Sequence, residues 1–350
     1  MMHQGTLPVS SPIQVGVIGL GFMGRTHVGA FQNATGSPCR LAAVADARVR
    51  EILNGAATAG NLTTSGSSGP LVSGDVRTYT RAEELLADPG IHAISICTPT
   101  DTHVDLALAA LAAGKHILLE KPVAVRSADV ARVREAAAKS GKVCMPAMVM
   151  RFWPGWEWLH DRIRDRSLGN IRSAEFDRRG SRPTWNTAFY SDESRSGGAL
   201  VDLHIHDADF ALWCFGMPSA VTSVGSVNQV TTIYHYPADS SSPALVTASG
   251  GWGQSPGFGF RMRYTANFEN ATADFDLARG EKPVLMGDAT ESRPIELPTL
   301  SGYDAEIRHF VDVVANGTTP KATLQDAFLV AKLLEAERES LRTRTTITIR

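Results

Sequence analysis

Apolar positions in the first 150 residues fall into short runs separated by segments of helical spacing. Ile13 to Ile18 is such a run, ending at glycines, and the residues from about Met23 to Gln32 continue with a helix-compatible pattern. The alternation then repeats. A strand is expected from Leu41 to Ala45 with a helix after Asp46, a strand from Ile91 to Ile96 with a helix from Asp101 to Ala113, and a strand from His116 to Leu119. One more unit follows, a helix from about Ala128 to Lys139 and a strand near Val143 to Pro146. Strands buried on both faces and linked by helices predict an α/β architecture, a doubly wound parallel sheet of Rossmann type over residues 1–146.

The period changes in the second half. From Ile171 onward, runs rich in Val, Thr, Tyr and Phe alternate in twos, at Ala220 to Tyr236, Ala244 to Gly250 and Arg261 to Phe268. This predicts a mostly antiparallel sheet in a C-terminal α+β domain, residues 147–350. Helical spacing returns at Ala305 to Ala315 and at Leu324 to Leu341, the latter after Thr323, a candidate N-cap. Gly60 to Gly74 is rich in Ser, Thr and Gly without a period and reads as a surface loop with no assigned function.

Composition narrows the function classes. A chain of 350 residues is about twice a usual domain, so two domains sharing one site is the expectation. The 34 basic and 36 acidic residues leave a net charge of −2, which offers no general attraction to nucleic acid or to an anionic membrane. Cys39, Cys97, Cys144 and Cys214 are widely spaced, mostly in apolar runs, the pattern of reduced thiols. With neither a leader pattern nor a membrane-length apolar run, the expected location is the cytoplasm. The Asn-x-Thr triplets at Asn61, Asn270 and Asn316 would matter only after secretion and are set aside.

Gly19-Leu20-Gly21-Phe22-Met23-Gly24 is a G-x-G-x-x-G pattern placed between a strand and a helix. In that context the first glycine permits the turn, the second admits a pyrophosphate to the backbone, and the third lets helix and strand pack closely. Asp46 closes the second strand 22 residues after Gly24, where a carboxylate accepts hydrogen bonds from ribose hydroxyls. NAD is therefore favoured, while Arg48, which could face a 2′-phosphate, keeps NADP open.

Four segments in order carry a family resemblance: the glycine turn, Cys97-Thr98-Pro99-Thr100-Asp101-Thr102-His103, Glu120-Lys121-Pro122, and Gly197 to Asp207. Together they resemble the Gfo/Idh/MocA family of glucose-fructose oxidoreductase, inositol dehydrogenase and rhizopine catabolism proteins. The resemblance implies a nicotinamide-binding Rossmann domain and a substrate domain with a large open sheet, often used in oligomer contacts, so a homodimer or homotetramer is expected. It adds Phe22, Met23, Thr98, Pro99, Thr100, His103, Glu120 and Lys121 to the cofactor-binding set of Gly19, Gly21, Gly24 and Asp46. Lys121 resembles the family's catalytic lysine, with Pro122 following a cis bond as similar proteins often show, His206 resembles the acid–base histidine and Asp202 its acidic partner.

If the 202–206 segment is helical, Asp202 and His206 share a face and the carboxylate can orient the imidazole. The implied reaction on a sugar or polyol is proton removal from a secondary hydroxyl by His206, hydride transfer to nicotinamide, and stabilisation of the alkoxide by Lys121. His204 stands where the family more often has a small residue and is a candidate substrate contact, as are Arg179 and Trp185; Arg182 lies on the same irregular stretch. The bland readings are a solvated Lys-Pro turn, a helix-surface Asp–His contact, and interdomain packing of Trp153, Trp156 and Trp158. His204-x-His206 with Asp207 and Asp209 also invites a metal reading, which is not adopted. Two alternatives to a dehydrogenase remain open, a glycoside-cleaving enzyme using transient oxidation and a non-catalytic nucleotide sensor on the same scaffold.

Overall fold

The computed structural model describes residues 12–55, 71–72, 74–237, 242–280, 282–287 and 292–349. Most of the Ser/Thr/Gly stretch expected to form a surface loop, including Asn61, lies outside the described residues. The first sheet has six strands: β1 (Ile13–Ile18), β2 (Cys39–Ala45), β3 (Arg77–Tyr79), β4 (Ala93–Ile96), β5 (His116–Glu120) and β6 (Cys144–Ala147). They are ordered β3-β2-β1-β4-β5-β6 and all pair in parallel, so the order reverses direction on either side of β1. That switch opens a crevice beyond the C-terminal ends of β1 and β4. The short edge strand β3 and the helix Ala82–Ala87 have no counterpart in the sequence expectation, because three residues are too few to show a period.

The second sheet contains β7 (Ile171–Arg179), β8 (Ala220–Ser226), β9 (Gln229–His235), β10 (Leu245–Gly251), β11 (Arg261–Phe268), β12 (Ala271–Asp276), β13 (Val284–Gly287), β14 (Arg293–Pro294) and β15 (Ile347–Thr348). Their order is β14-β13-β12-β11-β7-β10-β9-β8-β15, and every pair is antiparallel except β7 with β10. The architecture is a parallel Rossmann sheet beside a large, mostly antiparallel one. The single run expected from Ala220 to Tyr236 is a hairpin turning at Val227-Asn228. A Val-Asn turn lacks the glycine that usually announces one.

Trp156 sits at the centre of the second core, 4.8 Å from Phe210, 5.3 Å from Tyr264 and 5.7 Å from Phe176 between ring centroids. Packing thus explains Trp156. The helix Leu324–Thr343 starts at Thr323, whose hydroxyl accepts from Asp326 N while Asp326 returns a bond to Thr323 N, a complete capping box. It packs on both β8 and the Rossmann helix Ser127–Ser140, and Glu335 receives the Ser127 amide and hydroxyl at 2.8 and 2.7 Å. The helix Gly302–Asn316 likewise returns to pack on the first Rossmann helix, Phe22–Asn33. Both late helices tie the two sheets together and brace the cleft between them.

Candidate active site

A cavity of about 800 Å³ runs from the glycine turn at the end of β1 to the far wall formed by the second sheet. At its nucleotide end Gly19 takes φ +87°, a conformation side chains other than glycine's rarely adopt, and a Cβ there would stand 2.7 Å from Cys97 O. A Cβ on Gly24 would fall 1.7 Å from Gly19 O, so Gly24 serves helix–strand packing behind the turn and does not line the cavity. Gly21 faces open space, where a Cβ would meet nothing within 4 Å. The helix it begins has no side-chain cap, which leaves first-turn amides for an anion.

Asp46 is held by backbone. Its Oδ2 accepts from Leu20 N and its Oδ1 from Arg48 N, both at 2.8 Å, so the carboxylate is fixed at the cavity wall beside the turn. Phe22, Met23, Thr98, Pro99, Thr100, Glu120 and Lys121 also line the cavity. These features fit a dinucleotide: an uncapped helix start behind a glycine with free space in front of it, and an oriented carboxylate at the second strand.

His103 requires a correction. Its ring is buried and does not line the cavity; Nδ1 lies 2.8 Å from Pro122 O and Nε2 2.8 Å from Thr98 O. The side chain clamps together two loops that do line it. The peptide between Lys121 and Pro122 is cis. Behind Glu120 is a residue the motif reading missed, His27, wholly buried with Nε2 3.1 Å from Glu120 Oε1 and Nδ1 2.7 Å from Ser95 Oγ. Burial opposes its charge, but Cys97 and Glu120 outweigh that and raise its pKa well above the ordinary value. Position 27 is three residues past Gly24 on the same helix face, the one signal that could have found it.

At the far end, Lys121 Nζ donates to Asp202 O at 2.7 Å and lies 3.3 Å from Asp202 Oδ1. Lys121, Asp202 and His206 thus line one cavity, contributed by both sheets' elements. The expected pairing is different in one respect: Asp202 engages Lys121, and no hydrogen bond joins it to His206. The reason is a break in the helix. Gly198–Asp202 ends before Leu203-His204, and a new helix, Ile205–Phe215, carries His206 in its first turn. Burial first, then the cations Lys121 and Arg178, hold the His206 imidazole well below its ordinary pKa, so it is neutral at physiological pH.

His204 is a second correction. It is fully buried beneath the cavity wall, with Nε2 2.9 Å from Glu337 Oε2, and cannot reach a substrate. Arg179 is a third. Along β7 alternate side chains face opposite ways, so Arg179 turns to Asp177, 2.7 Å away, while Arg178 faces the cavity. Arg178 donates to Asp207 at 2.8 Å through Nη2 and stacks on Trp156, 5.2 Å from the ring. Arg182 is exposed and outside the cavity lining, whereas Trp185 and Trp153 line it. Asp207 and Asp209 are paired with Arg178 and Arg151. Among the described residues no group of three His, Cys, Asp or Glu is placed to hold a metal.

Comparison with known proteins gives the following. The model of the oxidoreductase family with NAD-binding Rossmann fold matches residues 13–148, and that of the GFO/IDH/MocA C-terminal domain matches 156–266. An uncharacterized oxidoreductase of Synechocystis sp. is 33% identical over 152 residues, which is 43% of this chain and 41% of that one. The scyllo-inositol 2-dehydrogenase (NAD(+)) of Bacillus subtilis is 27% identical over 272 residues, 70% of this chain and 73% of that one. Among solved structures, levoglucosan dehydrogenase in complex with NADH and levoglucosan superposes with a TM-score of 0.80 at 20% identity, covering 97% of this chain and 99% of that one. Among the described residues no helix is long and apolar enough to cross a membrane.

Proposed function

The chain belongs to the Gfo/Idh/MocA oxidoreductase family, and from that premise we propose that it is an NAD-dependent dehydrogenase acting on a secondary hydroxyl of a sugar, inositol or related polyol. Relatives named for scyllo-inositol and levoglucosan support the substrate class. The observation that carries the reading is the meeting of Lys121, Asp202 and His206 in the cavity that also holds the glycine turn and Asp46. Residues 1–146 form the nucleotide half and 147–350 the substrate half in this reading.

Bound nicotinamide supplies the hydride acceptor, or the donor in the reverse direction. Gly19, Gly21 and the uncapped helix start would hold its pyrophosphate, and Asp46 the adenosine ribose, favouring NAD over NADP. A neutral ring nitrogen of His206 takes the proton of the substrate hydroxyl as the C–H bond on the same carbon breaks. Lys121 Nζ, aimed by the carbonyl and carboxylate of Asp202, faces the oxygen on which negative charge develops. Asp202 therefore acts through the lysine. Glu120, fixed by His27 on one oxygen and by Lys121 N at 3.0 Å on the other, sets the start of that loop.

Titration calorimetry with NADH and NADPH, followed by absorbance assays on a sugar and polyol panel, tests the reading. Tight NADH binding with reduction of NAD by at least one polyol is expected; binding of neither nucleotide sinks it. A soluble cytoplasmic homodimer or homotetramer belongs to the same proposal, and light scattering of the purified chain checks the subunit number.

A further inference from the structure

The far end of the cavity differs in chemistry from what a free sugar requires. A polyol or hexose carries hydroxyls around its whole ring, and each one buried without a partner weakens binding on the order of tenfold to a hundredfold. Around Lys121, Asp202 and His206 the walls are mainly apolar: Trp185, Phe189 and Tyr190 on one side, Phe260, Met262 and Met150 on the other. The aromatic side is continuous. Ring centroids are 5.8 Å apart for Trp185 and Tyr190 and 5.1 Å for Phe189 and Tyr190, each pair edge to face.

The wall reaches the reacting residues directly. Phe260 packs against the cluster that contains Leu203, the neighbour of Asp202, and burial, followed by the nearby Asp202 carboxylate, raises the pKa of the Tyr190 hydroxyl. The polar groups at this end are mostly engaged within the protein. Arg178 donates through Nε and Nη2 to Asp207, Lys121 to Asp202, and the Asn186 oxygen caps Phe189 N at 3.3 Å. Trp185 is 39% exposed, so the apolar strip continues from the reacting residues out to the mouth.

We propose, resting on the dehydrogenase reading above, that the substrate is a glycoside with an apolar alkyl or aryl aglycone. Its sugar ring presents one short arc of hydroxyls to Lys121, Asp202 and His206, and its aglycone lies along Trp185, Phe189 and Phe260 toward the mouth. Stacking of sugar C–H faces alone would need only one aromatic platform with polar side chains around it. Here apolar side chains face each other across the space, and transfer of an aglycone from water to such walls is favourable in proportion to the area covered.

The test separates the proposal from the reading beneath it. Calorimetry on the NADH-loaded protein compares glucose and myo-inositol with methyl, octyl and phenyl β-glucosides, and the same compounds are assayed for reduction of NAD. The phenyl and octyl glucosides are expected to bind at least tenfold more tightly than glucose and the methyl glucoside. Phe260→Ala and Trp185→Ser are expected to remove most of that preference through KM, each checked for retained NADH binding. Equal or better binding of free sugars overturns the proposal and leaves the dehydrogenase reading intact. Preference for the apolar glucosides without reduction of NAD by any ligand that binds overturns the dehydrogenase reading instead.

Discussion

Two histidines two residues apart sit in regions of opposite character. His206 stands at the start of the helix Ile205–Phe215 with its ring toward the cleft, facing Lys121 and Arg178; His204 lies beneath, against Glu337 at 2.9 Å. Burial opposes charge on both rings. For His206 the neighbouring cations add to that effect and its pKa falls well below the ordinary 6.5, whereas for His204 the Glu337 carboxylate outweighs it and the pKa rises. Glu337 is itself saturated, accepting from Thr232 Oγ1 at 2.8 Å and Tyr234 OH at 3.0 Å. Partners, rather than depth, decide which imidazole is a base and which is half of a core ion pair. That difference divides reaction from support.

The sharpest break in the comparison is at His206. Replacing it with Asn should lower kcat/KM for polyol oxidation by about 10²- to 10⁴-fold while NADH affinity and circular dichroism stay as in the parent, as expected of a lost general base. Next comes Glu337→Leu. It leaves His204 without its partner and should destabilise the fold by about 3–5 kcal/mol in urea unfolding, with any loss of turnover following unfolding.

Opposite pKa shifts also give opposite pH signatures. His204, raised in the folded state, contributes stability fully present below the unfolded value of 6.5 and lost as pH rises through its folded pKa. His206, lowered, contributes stability present above 6.5 and lost as pH falls toward its folded pKa. The stability gap between parent and Glu337→Gln should therefore narrow on raising the pH above 6.5. Oxidation rate should stay level through pH 6.5 and fall only in more acid solution, and a kcat/KM limb at or above 6.5 would remove His206 as the base. The smallest effect is at the support itself. Thr323→Ala opens the capping box of the helix that carries Glu337 and should cost about 1 kcal/mol with little change in kcat.

Much of the nucleotide half was legible. Its chemistry is read by backbone, and backbone requirements appear as residue types at fixed spacing: glycines where a Cβ would collide, a carboxylate at the end of the second strand, a proline after Lys121. The substrate half was legible only where a motif named a residue. Asp202 and His206 were placed in the cavity, but their direct pairing was not, because a break at Leu203-His204 leaves no sequence mark. Arg179 was chosen where Arg178 is the one facing inward, a one-residue ambiguity that strand register alone resolves. Tyr190, Phe260 and Tyr303 gave no signal at all.

By itself, then, the sequence determined the βα alternation, the nucleotide turn, the change to a sheet of period two and the chemically active side chains, since each depends on spacing within one segment. The tertiary structure decided which side chains meet across segments. It set Lys121 against Asp202, 81 residues away, and His204 against Glu337, 133 away, and it closed an apolar wall around the reacting groups from β11, the 185–190 segment and the end of β6. Charge states and substrate walls arise from such encounters in space, and local spacing carries no record of them.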